Sequence, residues 1–393
     1  MREGWTYKRL TEVCTTITDG SHNPPKGIEH SNYRMISSQN IFDGELKIYD
    51  DNVRFLTEED HYKEDKRTKL SKGVVLLTIV GTIGRSCVLN GDEGYLTLQR
   101  SVAVLHPSSE IQSRFLMYCL IGNRNKMEKE AHGIAQRGIY LKQLSALVIP
   151  TPPNNVQQSI VAELDKINEL IRLKKSQLSD LDSLAQSIFY DMFGDPVENE
   201  KGWEVKKMEE ICTNIVDCPH STPRKSDSVT DYPCIRTSEL KGGAISWDTM
   251  QYLEKEEYEI RIARLKPEAG DIVFGREGTI GDAVILPKGY NFSLGQRTML
   301  LRANTEIISN IFLHRVILSE WIKQQIEYVN VSSTVAHVNM KDFKQFAVPL
   351  PPLPLQQSFA TRITAIEQQK QRISSSIKDL ETLLASRMQY WFD

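Results

Sequence analysis

Two stretches of the chain, far apart in sequence, nearly repeat one another. Residues 4–26 read GWTYKRLTEVCTTITDGSHNPPK, and residues 202–224 read GWEVKKMEEICTNIVDCPHSTPR. They are identical at ten of 23 positions, among them a tryptophan, a cysteine, an aspartate and a histidine in each copy. Solenoid repeats are about 20–50 residues long, so a repeat of roughly 200 residues predicts duplication of a whole domain.

The match continues downstream, with small insertions. The repeated motifs are Gly81-Thr-Ile-Gly84 and Gly278-Thr-Ile-Gly281, Gln99-Arg100 and Gln296-Arg297, and Gln157-Gln-Ser159 and Gln356-Gln-Ser358. A duplicated chain tends to have pseudo-twofold symmetry. Paired subunits or duplex DNA are the natural partners of such symmetry.

The first part of each copy indicates a mixed α and β globule. Short apolar or alternating runs separated by Gly and Asn/Asp clusters predict strands, whereas longer periodic runs predict helices. The predicted strands are Val74–Val80, Ser101–Leu105, Asp271–Phe274 and Thr298–Arg302, and the predicted helices are Ile111–Leu120 and Ile307–Glu327.

The second part of each copy predicts one long helix after a proline block, at residues 150–153 and 349–354. Apolar residues recur at heptad spacing, which is typical of paired helices. The predicted interface residues are Leu164, Ile167, Ile171, Leu178 and Leu181 in the first helix, and Ile363, Ile366, Ile373, Ile377 and Leu380 in the second. Lys174, Lys370 and Arg387 interrupt the pattern, and charged residues there can set the register.

The expected fold class is therefore α+β, with two pseudo-twofold-related α/β domains separated by an antiparallel pair of long coiled-coil helices. About 35 helical residues would span about 50 Å and hold the globules a fixed distance apart. The alternative is that each helix covers its own domain.

Composition limits the classes of function. The chain has 393 residues, of which 40% are hydrophobic and 25% charged, and a net charge of -3. Proteins that coat nucleic acid are usually basic, so any DNA contact must come from local patches. No apolar run of about 18 residues predicts a membrane span. Six cysteines without a CxxC pair indicate free thiols in a reducing, cytoplasmic setting and predict no metal site.

Motifs of common enzymes are absent from the sequence. It contains no GxxxxGK[ST], GxGxxG, HExxH or GxSxG pattern. We therefore expect a non-catalytic protein, with a nuclease or methyltransferase of unrecognised site as one rival.

Polar loops are the candidate sites. Each Gly-Thr-Ile-Gly motif is either a hairpin turn or a close approach to phosphate. Gln and Arg read base edges, although both arginines could equally form ion pairs. Asp19 and His22 recur as Asp217 and His220, either in a structural loop or at a phosphate contact.

Loops that differ between the copies are candidates for contacting DNA bases. The alternative is that they are surface loops whose sequences have diverged without a function. The full set of predicted DNA-binding residues is Ser38, Gln39, Asn40, Thr82, Gln99, Arg100 and Arg137 in the first copy, and Thr237, Ser238, Arg276, Thr279, Gln296, Arg297 and His337 in the second.

In its duplicated globules, proline breaks and heptad helices, the chain resembles the specificity subunit of type I restriction-modification systems. The resemblance covers the whole chain and implies a target recognition domain at 1–150, a central spacer helix at 151–196, a second recognition domain at 197–349 and a C-terminal spacer helix at 350–393.

The resemblance also implies what the chain does. Each recognition domain would bind half of a bipartite DNA site, and the helices would set its spacer. Two modification subunits would dock on the helices, bring S-adenosylmethionine and methylate adenines. Two restriction subunits would join with ATP and Mg²⁺, and this chain would bind no cofactor. The rival interpretation is a coiled-coil scaffold, or an orphan DNA-binding protein without a restriction partner.

Overall fold

Two compact units make up the chain. The structure, a computed structural model, describes residues 4–131, 137–330 and 337–392. Unit 1 consists of Met1–Ser176 with Ser375–Asp393, and unit 2 consists of Gln177–Ser374. Each unit contains one globule and part of two long helices.

The globule of unit 1 is built from short strands and five short helices. Its strands are β1 (Thr6–Arg9), β2 (Cys14–Asp19), β3 (Tyr33–Ile36), β4 (Ile41–Phe42), β5 (Glu45–Leu46), β6 (Arg54–Leu56), β7 (Val75–Thr78), β8 (Ser86–Val88), β9 (Tyr95–Leu98), β10 (Val102–Pro107) and β11 (Val148–Thr151). Its helices are α1 (Leu10–Val13), α2 (Glu58–Thr68), α3 (Ser113–Gly122), α4 (Arg124–Glu130) and α5 (Leu141–Ala146), and the first long helix, α6 (Asn154–Phe193), follows.

A four-stranded antiparallel sheet in the order β2-β10-β7-β8 is the centre of this globule. A second sheet, β6-β3-β9, pairs β3 with β9 in parallel. All four residues of β7 are buried, as a strand covered on both faces requires. One apolar cluster contains Leu77 and Phe115 of α3, and another contains Leu76 and Leu98. The four-stranded sheet thus lies between two apolar layers.

Unit 2 repeats these elements. Its strands are β12 (Glu204–Lys207), β13 (Cys212–Asp217), β14 (Pro233–Ile235), β15 (Leu240–Lys241), β16 (Ala244–Ile245), β17 (Gln251–Tyr252), β18 (Ile272–Gly275), β19 (Ala283–Ile285), β20 (Ser293–Leu294), β21 (Thr298–Ala303) and β22 (Ala347–Leu350). Its helices are α7 (Met208–Ile211), α8 (Lys255–Arg261), α9 (Asn310–Ile317), α10 (Glu320–Asn330) and α11 (Met340–Lys344), followed by the second long helix, α12 (Leu353–Phe392).

The sheets of unit 2 have the same strand order, β13-β21-β18-β19 and β17-β14-β20. The predicted duplication of an α+β domain is confirmed. The single helix predicted over Ile307–Glu327 is wrong, because α9 and α10 are separate helices. α9 ends in a tightened turn, in which the Leu318 N–H reaches the carbonyl oxygens of both His314 and Val316.

The long helices begin at the proline blocks, α6 just after the first block and α12 inside the second. The interior of α6 contains neither Gly nor Pro, and the helix ends at Phe193; the next residue, Gly194, has a φ of 75°, which suits the residue that follows a helix. Leu353 begins α12, so Pro354 lies in its first turn, where proline is tolerated. Each helix has 40 residues, or about 60 Å, which is longer than predicted.

The two long helices pair antiparallel within each unit. In unit 1, Leu164 near the start of α6 packs in one cluster with Leu384 and Met388 near the end of α12. In unit 2, the rings of Phe189 and Phe359 are 5.7 Å apart. The predicted antiparallel pairing is confirmed. Seven predicted interface residues are buried, namely Leu164, Ile167, Ile171, Ile363, Ile366, Ile373 and Ile377, and Leu178, Leu181 and Leu380 are half-buried.

Two of the charged residues that interrupt the heptads form ion pairs between the helices. In unit 1, Arg387 donates to Glu163, with Nη2 and Oε2 3.1 Å apart, and this hydrogen bond lowers the pKa of Glu163. In unit 2, Lys370 Nζ lies 2.7 Å from Asp182 Oδ1. Such pairs are satisfied only in one alignment of the helices, so they favour that register.

Within the described residues, no helix is both long and apolar enough to cross a membrane. All six cysteines are free thiols. Burial raises the pKa of Cys14, Cys87 and Cys212 to about 12, so these thiols are protonated and unreactive at neutral pH.

Candidate nucleic-acid interface

The predicted DNA-binding residues of each unit converge at one end of its four-stranded sheet. In unit 1, β2 and β7 end there and β8 and β10 begin there, because Val102 is paired with Thr78 and Ala103 with Asp19. The parallel strands β3 and β9 end at the same place. Loops that are distant in sequence therefore form one surface, as the ends of neighbouring strands must.

We define loop cluster 1 as residues 19–22, 38–40, 79–85, 99–101 and 137–138. Backbone hydrogen bonds hold it together. The Ser38 N–H donates to Ser101 Oγ at 3.1 Å, the Arg100 N–H to the Ser21 carbonyl oxygen at 2.9 Å, and the Gly81 N–H to the Arg137 carbonyl oxygen at 3.3 Å. Of the predicted residues, Gln39, Thr82, Arg100 and Arg137 are exposed, and Ser38 and Gln99 are half-buried.

Loop cluster 2 comprises residues 217–222, 237–239, 276–282, 295–297 and 337–338. Thr279 Oγ1 donates to the Thr237 carbonyl oxygen at 3.1 Å, and the Arg276 N–H donates to the Arg297 carbonyl oxygen at 2.9 Å. His337 pairs with Glu277 through the backbone. Of the predicted residues, Ser238, Thr279, Arg297 and His337 are exposed, and Thr237, Arg276 and Gln296 are half-buried.

The Gly-Thr-Ile-Gly motifs are the turns of the β7–β8 and β18–β19 hairpins. Gly81 and Gly84 have φ values of 81° and 86°, and Gly278 and Gly281 have 77° and 90°, which glycine adopts without steric cost. The hairpin interpretation is thus confirmed. Contact of the exposed Thr82 and Thr279 with phosphate stays a prediction.

Asn40 is a correction to the predicted set, because its side chain is fully buried and satisfied within the chain. Its Oδ1 accepts from the Ser37 N–H at 2.9 Å, and its Nδ2 donates to Asn52 Oδ1 at 2.9 Å. Its carboxamide is therefore not available to a base edge.

In unit 2 the buried Glu239 occupies the place of Asn40. It accepts from the backbone N–H of Arg236 at 2.9 Å and from that residue's guanidinium at 2.7 Å, and Ser238 and Thr249 also donate to it. The spacing of three residues between Ser37 and Asn40, and between Arg236 and Glu239, is that of a capping box. The residue types depart from the Ser/Thr-x-x-Glu/Gln signature of that motif, so the sequence alone did not identify either residue as structural.

Each repeated aspartate is paired with an arginine, and the repeated histidine lies beside it. Asp19 is buried and accepts from His22 Nε2 at 2.8 Å and from Arg67 of α2. Asp217 accepts from Arg276 Nη1 at 2.6 Å, and His220 Nε2 lies 3.4 Å away. Both histidine side chains are more than half exposed and so accessible to a ligand. Contact of the rings with phosphate stays a prediction.

Two predicted readers of unit 2 have side chains engaged by the protein. Arg276 is only 14% exposed and is held by Asp217. The Gln296 Nε2 donates to the His220 carbonyl oxygen at 3.0 Å and to Thr222 Oγ1 at 3.2 Å. Each of these side chains would have to give up a partner within the protein to contact a base.

The structure shows that Gln99-Arg100 and Gln296-Arg297 are not equivalent pairs. The second pair lies one position later in its turn than the first. The Ile79 N–H donates to the Ser101 carbonyl oxygen, whereas the Arg276 N–H donates to that of Arg297. Val102 and Thr298 then begin equivalent strands. Arg297 therefore occupies the place of Ser101, and Gln296 that of Arg100. The alignment of identical letters was wrong here, because Gly295 occupies the place of Gln99: its N–H donates to the Ile235 carbonyl oxygen as the Gln99 N–H donates to that of Ile36.

Sequence reasoning missed Arg67 and Glu277 at these clusters. Arg67 pairs with Asp19 across 48 residues of sequence, and no local pattern signals that contact. Glu277 lies beside the predicted Arg276 and pairs with Arg297, with Oε2 3.2 Å from Nε. The replacement of Val80 by Glu277 between the copies was the available signal.

The architecture defines a class of protein, a duplicated α+β protein in which each unit has one polar loop cluster and an antiparallel pair of helix segments. Among the residues that the structure describes, no group of three or more His, Cys, Asp and Glu side chains could hold a metal ion.

Comparison with known proteins identifies the family. The model of the type I restriction modification DNA specificity domain matches residues 2–182 and again residues 200–381. The chain belongs to this family, and it contains two copies of the domain. Specificity subunits of this kind provide DNA recognition and are not catalytic.

Individual relatives agree over nearly the full length. A Methanocaldococcus jannaschii protein provisionally named the MjaX specificity subunit of a type I restriction enzyme is 22% identical, covering 97% of this chain and 93% of its own length. The MjaIX specificity subunit of the same organism is 23% identical, over 90% of this chain and 85% of its own length. The crystal structure of the S subunit from M. genitalium has the same fold, with a TM-score of 0.61, 15% identity and coverage of 99% of this chain and 96% of that one.

Proposed function

We propose that loop clusters 1 and 2 each read one half of a bipartite DNA site. One observation carries this proposal. The two clusters have the same backbone framework at the same end of equivalent sheets, yet they present different polar side chains, such as Arg100 in place of Gln296 and Ser101 in place of Arg297. A shared framework with divergent exposed donors is what two readers of different short sequences require.

The long helices are proposed to set the spacer between the half-sites. The functional division proposed is 1–150 and 197–349 for recognition, and 151–196 and 350–393 for spacing. Removing one heptad from each helix shortens each by about 10 Å, the length of about three base pairs. We expect the spacer of the recognised site to change, and an unchanged spacer would contradict this role.

The complex is proposed to contain two modification subunits docked on the helices. They would bring S-adenosylmethionine and methylate one adenine in each half-site, and two restriction subunits would add cleavage that uses ATP and Mg²⁺. This chain would itself bind none of these cofactors, and the complex would work in the cytoplasm. The net charge of -3 supports reliance on partner subunits for much of the phosphate binding.

The test is a map of methylated adenines in host DNA with and without the gene. Loss of one bipartite motif on deletion, with restoration by the complementing gene, is the expected result. A complemented strain in which no motif depends on the gene, although the modification subunit is expressed, would favour the scaffold interpretation. Salt-dependent binding of the complex to the mapped site provides the second readout, because phosphate contacts weaken as salt rises.

A further inference from the structure

The turn between β20 and β21 holds an arginine in an unusual backbone conformation. Arg297 has a φ of 65°, in the left-handed region that glycine adopts readily and most other residues avoid. Thr298 Oγ1 closes the turn by donating to the Gly295 carbonyl oxygen at 2.9 Å. Strain of this kind persists only where the surroundings impose it, and it concentrates at functional sites.

The side chain of Arg297 is exposed but held. It is 63% exposed, and its Nε lies 3.2 Å from Glu277 Oε2. Glu277 is in turn fixed by Arg276 Nη2, which is 3.6 Å from its Oε1, and by backbone pairing with His337. No other described side chain forms an ion pair with this guanidinium, so its terminal nitrogens remain available for a second partner.

Unit 1 lacks this arrangement entirely. Ser101 occupies the place of Arg297, and Ile79 and Val80 occupy the places of Arg276 and Glu277. The described residues of unit 1 with a positive φ at a non-glycine position include only Lys69, which lies at the end of α2. The strained arginine and its carboxylate are therefore a feature of one unit, not of the shared framework.

We propose that Glu277 is a positioning residue that aims Arg297 at a guanine in the half-site read by unit 2. The proposal rests on the proposed function and adds to it the base and the residue pair. Guanine presents two acceptors, O6 and N7, to the major groove, and two parallel N–H groups of arginine match them. A guanidinium anchored through Nε presents its terminal nitrogens in one direction, which such a match requires.

A phosphate contact explains the same residues less well. A carboxylate 3.2 Å from the guanidinium would repel phosphate and reduce the charge that attracts it. For base recognition the same carboxylate is useful, because it fixes the direction in which the guanidinium of Arg297 points. The two roles therefore predict opposite effects of removing the carboxylate charge.

The experiment uses the full chain in complex with its modification subunit. Binding is measured to duplexes with the mapped site and to duplexes in which each G·C pair of either half-site is replaced in turn. Arg297→Lys keeps the positive charge but loses the two parallel N–H groups of the guanidinium. Glu277→Gln keeps the shape of the side chain but loses its negative charge. We expect both variants to lose about tenfold of the discrimination at one guanine in one half-site only.

Two further measurements separate the roles. Glu277→Gln is expected to bind unrelated DNA more tightly while it discriminates less, because a repulsive charge is removed. Arg297→Gly suits the left-handed backbone, so it should keep the thermal unfolding temperature and lose the discrimination. Arg100→Lys, the same substitution at an exposed arginine of the unit 1 turn, is the control and should leave that guanine unaffected.

The positioning role and the proposed function are contradicted by different results. Unchanged discrimination in both Arg297→Lys and Glu277→Gln, at a site that the wild-type complex does read, would overturn the positioning role alone. A unit-2 half-site that contains no G·C pair would do the same. If the wild-type complex shows no sequence preference at all, the proposed function fails with it.

Discussion

Units 1 and 2 keep one buried aspartate but obtain its cation from different places. Asp19 is paired with Arg67 of α2, whereas Asp217 is paired with Arg276 of the β18–β19 hairpin. Arg264, which stands in the place of Arg67, contacts only the Asp217 carbonyl oxygen at 3.5 Å. The buried carboxylate is thus paired with an arginine in both units, while the side chains left at the surface differ. Divergence between the copies therefore does not by itself identify a reader.

The largest expected effect concerns the buried carboxylate under loop cluster 2. Glu239→Ala leaves Arg236, Ser238 and Thr249 without their acceptor in a fully buried place. Removing one partner of a buried ion pair costs about 3–5 kcal/mol, so we expect a loss near the lower end because Arg236 is partly exposed. Denaturant unfolding measures it.

The matched change in unit 1 sharpens the comparison. Asn40→Ala removes neutral hydrogen bonds, which should cost about 1–3 kcal/mol. If Asn40→Ala proves as costly as Glu239→Ala, the distinction between a neutral and a charged framework in the two clusters is wrong.

The next effect is a pH dependence that arises at His314 in unit 2. Burial lowers the pKa of His314 to about 4, and its Nε2 lies 2.9 Å from the Ala283 carbonyl oxygen. An unfolded histidine titrates at about 6.5, so between pH 6.5 and 4 the unfolded chain takes up a proton that the folded chain does not. Stability should therefore fall as pH drops through this window, by about 3 kcal/mol in total.

Unit 1 provides the control substitution, since the buried Met117 occupies the equivalent place in α3. His314→Met should reduce the pH dependence between pH 6.5 and 4 by the contribution of His314, as measured by thermal unfolding, while the contribution of His61, whose pKa burial also lowers, remains. An unchanged slope in this variant would show that other groups cause the acid sensitivity.

The smallest expected effect concerns the helix pair. Glu163 is partly exposed, and Arg387 and Trp391 both donate to it. Its lowered pKa means that the stability it contributes is present above the unfolded pKa, about 4.3, and is lost as pH falls through the folded value. Glu163→Gln should lower the unfolding temperature at pH 7 more than at pH 3. Equal shifts at both pH values would leave the ion pair without a role in stability.

The duplication, the sheet strands and the helix pair could all be predicted, because they depend on periodic apolar residues and on motifs repeated in one chain. The burial of Asn40 could not be predicted, because its carboxamide is held by Lys47 and Asn52 further along the chain. The pairing of Asp19 with Arg67 could not, because it joins a strand end to a distant helix. The equivalence of Arg297 with Ser101 could not be predicted either, since the identical Gln-Arg letters concealed that Gly295, and not Gln296, occupies the place of Gln99.

The central claim is that the two loop clusters read their half-sites independently. Arg100→Ala in unit 1 and Gln296→Ala in unit 2 change structurally equivalent positions of the two turns, and methylated adenines are mapped for each variant. The account predicts that each change relaxes a base position in a different half of the motif and leaves the spacer unaltered. Changes in the same half, or in both halves from a single substitution, would contradict it.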